Sequence, residues 1–357
     1  MYVRRAALCA AAVALILPAA AHAATKTVTM GEPAATAKQF ENKYGTDANA
    51  FFPSVVTVRA GDKVRFAPTG FHTVDLPPKG GAAVGVAQAT GTTIAGALDA
   101  AGQPFWFNGK DTLGFPAALL QSGWGTSVAY DGTKRVDTGL ALQDKPKPIT
   151  VTFAKPGTYT YYCDVHAGMK GTVRVVGAKA PAPSAKADAA AVKRQVTAAL
   201  KAAKGLAAHK APAGTIDVGA SGAGGTEYYG FFPAKTTVPV GTSLTFRMSS
   251  GYDVHSATTG PGDPEKDQNS YLGKLAAGLN SPVFDPQAAV YPSDAPGTTA
   301  SLTPTLHGNG FWSTGVMDSD SSTPLLPASG KVTFAAAGTY TFYCLIHPFM
   351  HATVTVK

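Results

Sequence analysis

One stretch of this chain occurs twice, and the repeat limits what the chain can fold into. Tyr161-Tyr162-Cys163-Asp164-Val165-His166-Ala167-Gly168-Met169 is matched near the C-terminus by Tyr343-Cys344-Leu345-Ile346-His347-Pro348-Phe349-Met350. The likeness reaches far upstream at a nearly constant offset. Phe51-Phe52-Pro53 returns as Phe231-Phe232-Pro233, and Val58 to Phe66 returns as Val238 to Phe246. Phe153, Gly157, Thr158, Tyr159 and Thr160 return as Phe334, Gly338, Thr339, Tyr340 and Thr341. A repeat this long is a duplicated domain rather than a solenoid unit. The 357 residues are enough for two domains.

Each copy alternates apolar and polar residues in short runs. Val55 to Phe66 does so around Gly61-Asp62, which reads as a hairpin, and Ile149–Phe153, Tyr159–Tyr162 and Gly171–Val176 follow the same rule. Lys331–Phe334, Tyr340–Tyr343 and Ala352–Val356 are their counterparts. Apolar residues make up 45% and charged residues 15%, enough for two real cores. The expected fold class is all-β, two Greek-key β-sandwich domains.

The domains are expected at 24–176 and 214–357. Residues 1–23 read as a signal peptide: Arg4 and Arg5, an apolar run from Ala6 to Leu17, and Ala21-His22-Ala23 as the cleavage site. The expected route is general secretion, giving an exported protein that is secreted, at the cell surface or periplasmic. No later stretch is long and apolar enough to span a membrane. The linker 177–213 is Ala/Pro/Lys-rich at first. Asp188 then reads as the cap of a short helix to about Ala208, with Val192, Val196, Leu200 and Ala203 on the face that packs on a domain. Two long inserts, 74–147 and 256–329, are rich in Gly, Pro and small residues. They share Thr138-Gly139-Leu140 and Thr314-Gly315-Val316 and hold Trp106, Trp124 and Trp312, which read as packing over the sandwich ends.

Of three cysteines, Cys9 leaves with the leader. An exported chain with two cysteines suggests a disulfide by default. Here each lies in a Cys-x-x-His-x-x-Met run, so two separate metal thiolates are expected. Two His and one Cys in a plane with a weak axial Met form a blue-copper site, suited to both copper oxidation states. The missing imidazole should come from a strand far upstream. His72 in Gly70-Phe71-His72-Thr73-Val74 and His255 in Tyr252-Asp253-Val254-His255-Ser256 stand where it is needed. The candidate ligands are therefore His72, Cys163, His166 and Met169, and His255, Cys344, His347 and Met350. His209 and His307 are expected to be packed or solvated, and His351 to be an exposed edge residue. Zinc is the competing metal, but it rarely takes a thioether.

On these motifs both repeats resemble cupredoxins of the plastocyanin/azurin family, and the Cys-to-Met spacing is most similar to the short-loop amicyanin type. The resemblance implies an eight-stranded sandwich with type 1 copper at one end, one copper per domain, and one-electron transfer as the activity. It leaves out the inserts and the linker helix.

Copper enzymes with this fold place a further ligand beside the type 1 Cys. Here Cys163 is flanked by Tyr162 and Asp164, Cys344 by Tyr343 and Leu345, and no His-x-His occurs. The expectation is an electron carrier, not an enzyme, serving redox partner proteins. The other reading is extracellular copper binding, storage or delivery without a redox role. A formal charge of +8, less the two leader arginines, favours acidic partners. No aromatic-basic pattern argues for nucleic acid. Unequal potentials are expected, with Ala167-Gly168 the more open loop and Pro348-Phe349 the more closed.

Overall fold

The computed structural model describes residues 23–285, 287–320, 323–325 and 328–357. The expected leader therefore lies outside the described residues, apart from Ala23. Among the described residues no helix is long and apolar enough to cross a membrane.

Domain 1 is a sandwich of two five-stranded sheets. In one, Thr25–Met30 runs parallel to Lys63–Pro68, which pairs antiparallel with Ile149–Phe153. In the other, Gly157–Tyr162 pairs antiparallel with Lys170–Val176, which runs parallel to Val55–Arg59. Alternation along these strands sends Val28, Val64, Phe66, Val151, Phe153, Tyr159, Tyr161 and Val173 into one buried cluster. Domain 2 repeats the plan: Thr215–Gly222 runs parallel to Ser243–Met248, and Gly338–Tyr343 pairs with His351–Val356. The pairs Val28 with Phe66 and Ile216 with Phe246 occupy the same register, as the duplication requires.

The hairpin expected at Gly61-Asp62 is not one. Val55–Arg59 and Lys63–Pro68 belong to opposite sheets. The turn between them is a corner of the sandwich, held by the Asp62 carboxylate, which accepts the amides of Arg59 and Ala24 at 2.9 and 2.8 Å. Alternation identifies a strand but not its partner.

The boundary between the copies is also crossed. Thr46–Ala48 of domain 1 adds an antiparallel edge strand to domain 2, in register Thr226↔Ala48, Glu227↔Asp47 and Tyr228↔Thr46. The linker helix spans Ala185–Leu206; its cap is Ser184, not Asp188, whose carboxylate instead meets Lys26 at 2.7 Å. Val196, Ala199 and Ala203 bury against Phe40, Ala48 and Phe52, and Gln195 exchanges hydrogen bonds with the backbone of Phe51 and Ser54.

The two inserts pack on each other. Phe115 N donates to Pro282 O and Phe284 N to Leu113 O, both at 2.9 Å. Phe105 and Phe107 share a buried cluster with Leu272, Leu275 and Phe311. Trp106 Nε1 donates to Pro292 O at 2.7 Å, joining the inserts. Trp124 and Trp312, expected as covers, lie within the two sandwich cores. Edge strand, helix and inserts together bring one end of each sandwich against one shared cavity of about 450 Å³, which both His166 and His347 border.

Candidate metal centres

In domain 1 Cys163 ends the strand Gly157–Tyr162, and the chain then turns back at once into Lys170–Val176. Two backbone bonds close the intervening loop, Cys163 N to Met169 O at 3.0 Å and Met169 N to His166 O at 2.9 Å. Domain 2 uses the same pair: Cys344 N to Met350 O at 3.0 Å and Met350 N to His347 O at 2.8 Å. The loop length therefore fixes where each His sits relative to its Cys. Met169 and Met350 are both buried and belong to the same apolar clusters as Cys163 and Cys344.

The upstream histidines arrive where the sequence placed them. His72 Nδ1 lies 3.1 Å from His166 Nδ1, and Cys163 Sγ lies 3.4 and 4.0 Å from His166 and His72. His255 Nδ1 lies 3.2 Å from His347 Nδ1, and Cys344 Sγ lies 3.6 and 3.8 Å from His347 and His255. An ion held by thiolate and imidazole at about 2.0–2.3 Å, in the plane of three donors, requires donor separations of about 3.5–4 Å. Both triads are close to that size, and both cysteines are free thiols, so the default disulfide is excluded. The donor sets fit copper.

Electrostatics favour the metal-binding form of each sulfur. Burial opposes ionisation of Cys344, yet His255 and His347 bring its thiol down to about 5. Burial likewise opposes ionisation of Cys163, and His166 and His72 hold it well below the ordinary thiol range. Burial disfavours a charged imidazole, but the Cys163 thiolate raises His166 to about 9. Hydrogen bonds to Cys344 and Glu227 raise His255 to about 10 against its burial. Each thiolate thus attracts a cation into its triad.

Several supporting groups carry no motif. Thr73 N and Ser256 N each point at the Cys sulfur at 3.4 Å. Their hydroxyls accept the amide that follows each Cys, at 2.8 Å in both domains. Gly31 and Gly219, at φ of +90° and +72°, lie against the upstream imidazoles; a Cβ there would meet His72 Nε2 at 2.8 Å or His255 Nε2 at 2.6 Å. Glu227 Oε1 contacts His255 Nε2 at 3.1 Å, and both side chains are fully buried. A usable signal existed for Glu227, an acid inside an otherwise apolar and aromatic strand.

The copies differ behind the Cys. Domain 1 gathers the carboxylates of Asp75, Asp137 and Asp164, with Arg135 bonded to Asp75. Domain 2 has Thr258, Ser313 and Leu345 at those positions, with Thr258 and Ser313 hydroxyls 2.8 Å apart. The loops differ too: Ala167 and Gly168 are both exposed, whereas Pro348 is half-buried and Phe349 is 55% exposed. Tyr252 of domain 2 lies beside the first loop, so that a Cβ on Gly168 would meet its ring at 2.6 Å.

Among the described residues the remaining histidines stand apart from both triads. His209 contacts Asp217 at 2.7 Å, His307 lies between Asp99 and Asp294, and His351 is exposed.

Residues 129–176 match the family model described as copper binding proteins, plastocyanin/azurin family. That segment contains Cys163, His166 and Met169. A comparison with curated proteins finds no match. Among solved structures the chain is similar to a plastocyanin of Dryopteris crassirhizoma, at 22% identity and TM-score 0.20, covering 40% of this chain and 99% of that one. It is similar to an auracyanin of Roseiflexus castenholzii at 19% identity and TM-score 0.24, covering 41% and 99%. A reduced Cu(I) amicyanin variant matches at 16% identity and TM-score 0.21, covering 42% and 89%. Residues 129–176, which close the first sandwich and carry Cys163, His166 and Met169, are thus similar to the copper-binding domain of the plastocyanin/azurin family.

Proposed function

We propose that this is an exported one-electron carrier with two type 1 copper centres, one in each domain. His72, Cys163, His166 and Met169 would hold the first, and His255, Cys344, His347 and Met350 the second. The observation that supports this most is the repeated triad, with the same donors, donor separations and loop-closing bonds in both domains. Copper supplies a reversible one-electron couple at such a site. The protein's part is to hold its donors still. Backbone bonds fix the Cys and Met, amides stabilise the thiolates, and buried surroundings keep water away.

The carrier reading is preferred to an enzyme because Cys163 and Cys344 are flanked by Tyr162 and Asp164 and by Tyr343 and Leu345, not by a further imidazole. The donors and acceptors are proposed to be redox proteins with acidic docking faces, in keeping with the basic balance of the chain. The test is to load the protein with copper and follow absorption near the thiolate-to-cupric band during reduction and reoxidation. Intense colour that bleaches and returns reversibly supports transfer. A colourless protein that keeps cuprous ion and releases it to a chelator supports storage or delivery instead.

A further inference from the structure

Asp253 lies on the segment that leads into His255, and its side chain is only 5% exposed. Its Oδ2 is 3.4 Å from His347 Nε2 and 3.7 Å from His166 Nε2. Oδ2 also accepts the Tyr229 hydroxyl at 3.2 Å, while Oδ1 accepts the Val254 amide at 2.7 Å. Each of these imidazoles turns Nδ1 toward its own Cys sulfur, so Nε2 is the nitrogen left to face outward. In both domains that outward nitrogen faces the same carboxylate oxygen at ion-pair distance, the longer of the two contacts being that of His166. A buried carboxylate is costly unless it is paired, and the ion-pair partners here are one imidazole from each domain.

The arrangement is not a product of the duplication. The position that corresponds to Asp253 in domain 1, two residues before His72, is Gly70. One acid therefore serves both copies. It is held between them by the contacts that join the domains: the Thr46–Ala48 edge strand, whose neighbour Asn49 reaches Tyr229, and Tyr252, packed on Gly168 of the opposite ligand loop.

We infer that Asp253 is a shared positioning residue, fixing one imidazole ligand of each proposed copper centre and so coupling the two centres across the domain interface. This rests on the copper reading above. It makes the tandem one redox unit rather than two carriers on a string. A negative charge beside a ligand favours the more positive, oxidised state of the ion it serves. The single carboxylate therefore acts on both midpoint potentials in the same direction.

The test is Asp253→Asn in the full chain, in the wild-type background and in the Cys344→Ala background, where only the domain 1 centre remains. The expected result is two coppers bound, both midpoint potentials shifted upward and both charge-transfer bands displaced. The domain 1 shift should persist in the Cys344→Ala background. In copper-free protein, the imidazole nitrogen signals of both His166 and His347 should move. A shift confined to domain 2, or no shift in either, overturns the inference. If wild-type protein shows no copper band, it is the copper reading that fails, and the copper-free imidazole signals still decide whether Asp253 is shared. Should Asp253→Asn not fold, Tyr229→Phe removes a donor to the same oxygen; an unmoved His166 signal then overturns the inference.

Discussion

Glu227 and His255 form a carboxylate–imidazole pair sealed entirely inside domain 2, 3.1 Å apart. The contact fixes which nitrogen of His255 faces Cys344. Removing such an outer partner typically costs 10–100-fold in metal affinity. Glu227→Ala is therefore expected to weaken copper at the domain 2 centre by about that factor. Competition against a cuprous chelator, with Cys163→Ala as background, measures it. Unchanged affinity would show that the thiolate alone orients the ring.

Glycine at 219 is required twice over. Its φ of +72° disfavours any side chain, and a Cβ would sit 2.6 Å from His255 Nε2. Gly219→Ala should cost about 1–3 kcal/mol, the usual range for a strained backbone position, and should displace the domain 2 charge-transfer band. Denaturant melts and absorption spectra check both. Gly241, at φ +85° with no atom within 4 Å of a Cβ, serves as the control for backbone strain alone.

The carboxylates behind Cys163 should give the copper-free protein an acid-side stability maximum. Burial, with Asp164 alongside, raises Asp75 to about 8 and Asp137 to about 7. In the unfolded chain both titrate near 4, so between those values the native state binds the extra protons. Their contribution is complete below about pH 4 and is lost as pH rises through 7 to 8. Thermal midpoints from pH 4 to 9 should fall along this range. Asp137→Asn should flatten the fall, and an unchanged slope would remove these groups as its cause.

The inserts hold the two sandwiches together through aromatic packing. Phe107 is fully buried and stacks on Tyr291 of the other insert, with ring centroids 5.5 Å apart. Phe107→Ala should cost about 3–5 kcal/mol, the range for truncating a buried aromatic. Hydrogen exchange should rise in both inserts, not only the first. A rise confined to 74–147 would mean the inserts are independent.

The candidate donor sets that the structure brings together could be picked out in the sequence because metal chemistry restricts residue type and spacing together. His72 and His255 could be found since the duplication supplied each with a counterpart. The strands were legible from alternation, and the linker helix from its apolar stripe, although Ser184 took the cap expected of Asp188. What was not legible depends on partners distant in sequence. Nothing in Thr46-Asp47-Ala48 says that it pairs in the other domain. The corner at Gly61-Asp62 resembles a hairpin turn because both join alternating strands. Asp253 carries no motif, and its contact with His166 appears only where domain 1 meets domain 2. The loop after Cys163 reads as open because Ala and Gly cover little, and both residues are exposed, but nothing in the sequence shows that Tyr252 lies beside Gly168.

The central claim is two separate metal sets, one in each domain, and copper stoichiometry tests it most directly. Wild type, Cys163→Ala and Cys344→Ala would be titrated with copper while the visible band and midpoint potential are followed. The account predicts two equivalents in the wild type, one in each variant, and two distinct potentials that the variants separate. One equivalent in the wild type, or loss of both signals in either single variant, would contradict it.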